Sequence, residues 1–360
     1  MKIADLFADA LIGSYRDPPN MSLGSLTFQD LIRGWAILEA VSLIHQHITI
    51  LFAKDPSDLA TSLNWPALYR KRNEWLRWFS ALPNGEIVLD ALTMNPLEHS
   101  ADVAVTPIIP IAKGHYGLPP SIVLKANGPR NLLVLAARRF QAAYSVYSSK
   151  REAAIVSHFA SVCGDRVIAT SVRLPTFSGR QLPDIDVLLS GERHGSLVVV
   201  EIKWQLSAAD TKEVIARNDY LKKGQDQLKV IKNFLDDNPR YLRERGLVDF
   251  EVSRDEISYL LLAKGHLGSA DVLADHSIMA DYDIFVRYMK KGSLAAAMSR
   301  VAAYDYLPIE GRDFILEQIG VAFGGWRIKW KYFRPPVLIP DDETRIVQDL
   351  YDSTGGYLFF

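Results

Sequence analysis

LPDIDVLLSGERHGSLVVVEIKW, residues 182–204, decides how this chain is read. Two runs, DIDVLL (184–189) and SLVVVEIKW (196–204), flank SGERHG, whose glycines and polar residues suit a hairpin connection. Alternate side chains of a strand share a face, so Asp184 and Asp186 are expected to point the same way on the first strand. Glu201 and Lys203 are expected to do so on the second. Antiparallel pairing through the turn brings these polar ends side by side. Val187, Leu188, Leu189, Val198, Val199, Val200 and Ile202 are all apolar, so both strands read as buried. Burying charge is expensive unless the charge is paired or binds a metal. Two converging carboxylates beside a lysine make a credible Mg²⁺ site, because that hard cation takes oxygen ligands and keeps waters. The bland alternative is an acid–lysine ion pair at the solvent-facing end of the hairpin.

Outward from the hairpin, RVIATSVRL (166–174) reads as a preceding strand, and helices are expected over 131–147 and 150–163, the second stopped by Gly164. Ser207 is expected to cap a helical region that runs to about Asp237 and is interrupted near Gly224. ISYLLLAKG (257–265) is the next strand. Helix, three strands, helix, strand describes an α/β core. Residues 26–52 and 65–82 carry helical apolar spacing, and the Pro- and Gly-rich residues 107–129 are the best boundary. Residues 270–320 return to helical patterning, and WRIKWKYF (326–333) reads as one late strand. The predicted organisation is a mostly helical domain over 1–129, a core over 130–268 and a mostly helical extension over 269–360.

Composition narrows the classes. The 360 residues are 48% hydrophobic and 23% charged, with formal net charge −1, so any attraction to nucleic acid must be local. One cysteine, Cys163, excludes an intrachain disulfide framework, and no zinc-ligand spacing is present. Asp5 and Asp9 interrupt the stretch where a signal peptide would be apolar. No uninterrupted apolar run approaches membrane length. A cytoplasmic protein with no membrane partner is expected. P-loop, HExxH and G-x-S-x-G signatures are absent from the sequence.

Pro183-Asp184 together with Glu201-Ile202-Lys203 resembles the PD-(D/E)XK nuclease superfamily, and the order of elements over about 150–265 is similar too. The resemblance implies a restriction endonuclease-like core, a mixed sheet flanked by helices, and a Mg²⁺-dependent nuclease in which Mn²⁺ can substitute. It implies that Asp186 and Glu201 hold the metal, with Asp186 favoured over Asp184 as principal acid, and that Lys203 orients or activates the water. It also suggests Glu152 on the preceding helix as a further ligand, although Ser149-Lys150-Arg151-Glu152 equally reads as a capping box. On the helix after the lysine, relatives often carry a Gln. Gln227 shares a stripe with Ile231 and Phe234 and is expected to face the sheet, whereas Gln225 aligns with Lys229 and Lys232 on the wet side.

From Lys203 to Lys232 seven basic residues stand against four acidic ones. Lys222, Lys223, Lys229 and Arg180 are the candidate phosphate contacts. Residues 69–79 interleave Arg70, Lys71, Arg72 and Arg77 with Trp75 and Trp78, which reads as an amphipathic helix ahead of a stacking platform. His158 is expected in the core and His194 in the exposed turn. DNA is the expected substrate ahead of RNA, with a protein partner or homodimer left open. The alternative is an inactive nuclease-fold subunit that binds nucleic acid or assembles with protein.

Overall fold

A computed structural model describes residues 2–14, 20–52, 68–98, 101–177, 179–193, 195–206, 208, 211–265, 276–305, 315–323 and 326–334. Ser207 and His194 lie outside the described residues. The chain divides into two compact units, residues 1–151 and 152–360. The predicted boundary at 129/130 therefore falls short of the division by some twenty residues.

The first unit is mostly helical. Its longest helix, Phe28–Phe52, buries Phe28, Leu31, Ile32, Trp35 and Leu38, then exposes Leu43, Ile44, Ile48, Leu51 and Phe52 in its second half. By length and composition alone it is long and apolar enough to cross a membrane. Arg33 and Glu39 interrupt it, so it contains no unbroken apolar run of that length. The single helix expected over 65–82 is instead a strand, Leu68–Lys71, followed by a helix, Arg72–Phe79. The strand pairs antiparallel with His115–Leu118. Trp75 and Phe79 are core residues, and Arg72 bridges Glu86 and Asp90 at 2.8 Å each.

The second unit is mixed α/β. Helix α1 (Gln141–Cys163) crosses the division and leads into five strands: β1 (Val167–Val172), β2 (Ile185–Ser190), β3 (Leu197–Trp204), β4 (Ile257–Lys264) and β5 (Ile278–Asp281). Their order across the sheet is β5-β4-β3-β2-β1. The first three form an antiparallel meander, and β3, β4 and β5 run parallel. A parallel connection needs a crossover, and helix α2 (Thr211–Asp237) supplies it between β3 and β4.

Both faces of the sheet are covered, which explains the near-continuous apolar runs of its central strands. On one face Val187, Leu189, Val198, Val200, Ile202, Leu260 and Leu262 pack with Ile155 and Phe159 of α1. Phe285 of α3 (Tyr282–Lys291) and Val301 of α4 (Leu294–Ala302) belong to the same cluster. On the other face Leu188, Val199, Leu261 and Ala263 pack with Leu221, Leu228, Ile231 and Phe234 of α2.

Several sequence expectations need correction. The helices predicted over 131–147 and 150–163 break earlier: one spans Gly128–Arg139 and α1 begins at Gln141. No Gly or Pro interrupts residues 141–163, so nothing breaks the chain at Ser149, and the capping box does not form. Gly164, with a φ of 57°, terminates the helical region in the left-handed conformation that glycine tolerates. Helix α2 runs unbroken through Gly224. The core extends past residue 268, because β5 completes the sheet and α3 and α4 cover it. At 4 residues, β5 is too short to show a period of two. Beyond the sheet, β6 (Ile315–Phe323) and β7 (Trp326–Arg334) form an antiparallel hairpin, of which the sequence pattern marks only the second strand.

Candidate metal centre at the end of the sheet

Strand β3 pairs with β2 so that Val200 faces Val187. The pairing ends there, and Glu201 and Asp186 are the next residues along the two strands. Asp186 Oδ2 accepts a 2.7 Å hydrogen bond from the Ile202 backbone N–H, so the first carboxylate is fastened to the second strand. Glu201 and Lys203, two residues apart on one side of β3, meet directly: Nζ lies 2.5 Å from Oε1. Glu201 is 2% exposed. Its other carboxylate oxygen, Oε2, is buried with no hydrogen-bond partner.

Lys203 owes its path to a glycine. A Cβ on Gly224 of α2 would lie 2.9 Å from Leu261 Cδ1 and 3.3 Å from both Cγ and Cε of Lys203. The lysine stem therefore passes against bare backbone and carries its ammonium to the strand end. Also on α2, Tyr220 has its ring centroid 5.7 Å from Lys203 Nζ. Its hydroxyl donates a 2.8 Å hydrogen bond to Glu152 Oε1 on α1. Two helices on opposite faces of the sheet are thus joined by Tyr220 and Glu152 across the strand end.

Burial is the main cause of the unusual acidity of this cluster. It pushes Glu201 up to about 7, the neighbouring Asp186 charge adding to the rise and Lys203 opposing it. Asp186 is raised as well, chiefly by burial, against the pull of the Ile202 N–H and of Lys203. Tyr220 is raised by burial and by Glu152. The carboxylates repel one another, and one ammonium neutralises only part of their charge.

A cleft of about 510 Å³ opens beside these groups. Glu152, Asp186, Ile202 and Lys203 line it, with Ala153, Val156, Ser157 and Ala160 from α1 and Thr170 and Ser171 from β1. Ser171 sits across from Asp186 and holds a left-handed backbone, φ 52°, which is uncommon for any residue but glycine.

The other sequence-predicted residues fall outside this cluster. Asp184 is exposed, precedes β2, and acts on Asp186 only by its charge. Gln227 is half-buried, while Gln225, expected on the wet side, is buried. The inward stripe of α2 runs through Leu221, Gly224, Gln225 and Leu228, a rotation set by the close approach at Gly224. Gln225 accepts from the Ser277 hydroxyl, and its backbone carbonyl meets His276 Nε2 at 3.0 Å. Lys222, Lys223, Lys229 and Arg180 are all exposed. His158 is exposed rather than core, its Nδ1 2.7 Å from the Tyr282 hydroxyl. Cys163 is buried, which pushes its thiol up to about 12. Tyr220 was missed, since a tyrosine on an amphipathic helix carries no signal in its spacing.

Among the described residues, no group of three or more His, Cys, Asp or Glu side chains is arranged to hold a metal ion. The residues present still fit a hard cation. Glu201 Oε2 is a buried oxygen without a partner, and Mg²⁺ is commonly held by one or two carboxylates with water completing its shell. Comparison with family models, curated proteins and solved structures gives no match.

Proposed function

We propose that the second unit is a divalent-cation-dependent nuclease of the PD-(D/E)XK type with a restriction endonuclease-like core, acting on DNA ahead of RNA. The observation that carries this reading is the unpartnered, buried Glu201 Oε2 beside Asp186 and Lys203 at one strand end. Asp236 Oδ1 is likewise buried without a partner, so what singles out Glu201 is the neighbouring Asp186 carboxylate, whose repulsion a shared cation would relieve. The antiparallel meander β1-β2-β3, the crossover α2 and the parallel β4 support the fold assignment.

Asp186 and Glu201 hold the cation, Mg²⁺ or Mn²⁺. When bound, such a cation supplies charge neutralisation at the phosphate and a more acidic water. Lys203 places its ammonium beside the developing negative charge and orients the attacking water. Asp186 stays in place through its bond to the Ile202 N–H. With Glu201 buried and Asp186 and Lys203 half-buried, these groups keep their geometry before substrate arrives, which is how electrostatic stabilisation becomes effective. Lys222, Lys223 and Lys229 are exposed on α2, interspersed with exposed Asp219 and Asp226, and attract phosphate without regard to sequence.

A second reading is an inactive subunit of the same fold. It rests on the contact in which Lys203 already occupies Glu201 Oε1, with no three-carboxylate cage among the described residues. Mg²⁺ titration by calorimetry, wild type against Asp186→Asn, separates the two. The nuclease reading expects heat from wild type alone. A panel of linear, circular, single-stranded and branched DNA plus RNA, with Lys203→Ala alongside, then reads cleavage. Equal Mg²⁺ response in both proteins, with no substrate cut, favours the inactive subunit.

A further inference from the structure

We infer that Tyr220 is a positioning residue of the site, a clamp that holds Glu152 against the strand end from the opposite face of the sheet. This rests on the nuclease reading and deepens it. Four observations converge on the tyrosine. Its hydroxyl donates to Glu152 Oε1 at 2.8 Å, leaving Glu152 Oε2 for the cleft that this residue lines. Its ring lies 5.7 Å from the Lys203 ammonium, within reach of a cation–π attraction. Burial raises its hydroxyl and the Glu152 charge adds to the rise, with smaller contributions from Glu201 and Asp186. Finally, α2 can come this close only because Gly224 lies one turn further along it, on the Lys203 stem.

The capping-box explanation for Glu152 is gone, since α1 runs straight through Ser149. What remains is a glutamate at a cleft with one oxygen fixed by a tyrosine. The chemistry this suits is a hydrogen-bond acceptor for a water in the hydration shell of a cation held by Asp186 and Glu201. The hydroxyl would choose Glu152's rotamer, and the ring would steady the Lys203 ammonium at the edge of the cleft. Partners of this kind, one shell removed from the metal, typically change metal affinity or activity by about 10- to 100-fold when removed.

The test uses the full chain with Tyr220→Phe, Glu152→Gln and the double variant. Calorimetric Mg²⁺ affinity and the kcat/KM split of cleavage are read on each, with circular dichroism confirming the fold. Tyr220→Phe keeps the ring and removes only the hydroxyl. It is expected to weaken Mg²⁺ and lower kcat by roughly tenfold while leaving KM for DNA unchanged. On the Glu152→Gln background the same change should have no further effect. If Tyr220→Phe binds Mg²⁺ like wild type, or its effect adds in full to that of Glu152→Gln, the clamp is refuted while the nuclease reading stands. If wild type takes up no Mg²⁺ and cuts nothing, the nuclease reading and the clamp fall together.

Discussion

Replacing Glu201 with glutamine keeps the shape of a buried side chain and removes its charge, so its effect should depend on pH in a calculable way. Burial and the Asp186 charge raise this carboxyl from 4.5 to about 7 in the folded protein. A raised carboxyl binds more protons folded than unfolded, so stability falls as pH rises between those two values. The protonated form is favoured in the fold at pH 5, and by pH 8 the ionised form carries almost the full penalty. At 1.36 kcal/mol per pH unit of displacement, the loss between pH 5 and pH 8 is about 2 to 3 kcal/mol. Glu201→Gln, which resembles the protonated form, should escape this loss. Hydrogen exchange of peptides from β3 and β4, comparing the two proteins at each pH, cancels the intrinsic exchange rates. Relative to wild type, the variant should gain roughly 30- to 150-fold in protection at pH 8 over its standing at pH 5, all without metal. An identical pH dependence in both proteins would refute the claim that this carboxylate is buried at a cost. Adding Mg²⁺ at pH 8 should then protect wild type and leave the variant unchanged.

Other perturbations follow from the same geometry. Because a cation must displace a proton from Glu201, Mg²⁺ affinity by calorimetry should weaken below about pH 7, by up to tenfold per pH unit. Gly224→Ala sets a Cβ 2.9 Å from Leu261 Cδ1 and 3.3 Å from the Lys203 stem. Overpacking of about 1–3 kcal/mol should outweigh about 1 kcal/mol of better helix propensity, and cleavage should slow as Lys203 shifts. Phe159→Ala, emptying a fully buried ring site against the sheet, should cost about 3–5 kcal/mol in denaturation. Alanine at Lys222, Lys223 and Lys229 should reduce the salt dependence of DNA affinity, by roughly 0.9 in the log–log slope for each phosphate no longer neutralised. An unchanged slope would move the DNA path off α2.

Legibility was uneven along the chain. The β2–β3 hairpin was readable because buried strands leave long apolar runs, and acids or a lysine within such runs stand out. Helix ends were harder. Ser149-Lys150-Arg151-Glu152 matches a cap locally, yet the helix continues through it, since a cap signal acts only where the chain also stops being helical. Strand β5 was invisible because its four residues are specified by pairing with β4 rather than by any pattern of their own.

The chain's linear order alone placed Asp186, Glu201 and Lys203 at neighbouring ends of two apolar strands, because alternation and a short turn are local physics. It could not decide which side of α2 faces inward. That depended on Gly224, whose missing side chain lets the helix settle on the lysine stem and turns Gln225, not Gln227, into the interior. Nor could it bring Tyr220 to Glu152, which are 68 residues apart. Their meeting comes from two helices closing over one sheet from opposite faces, and no periodicity within either helix encodes that approach.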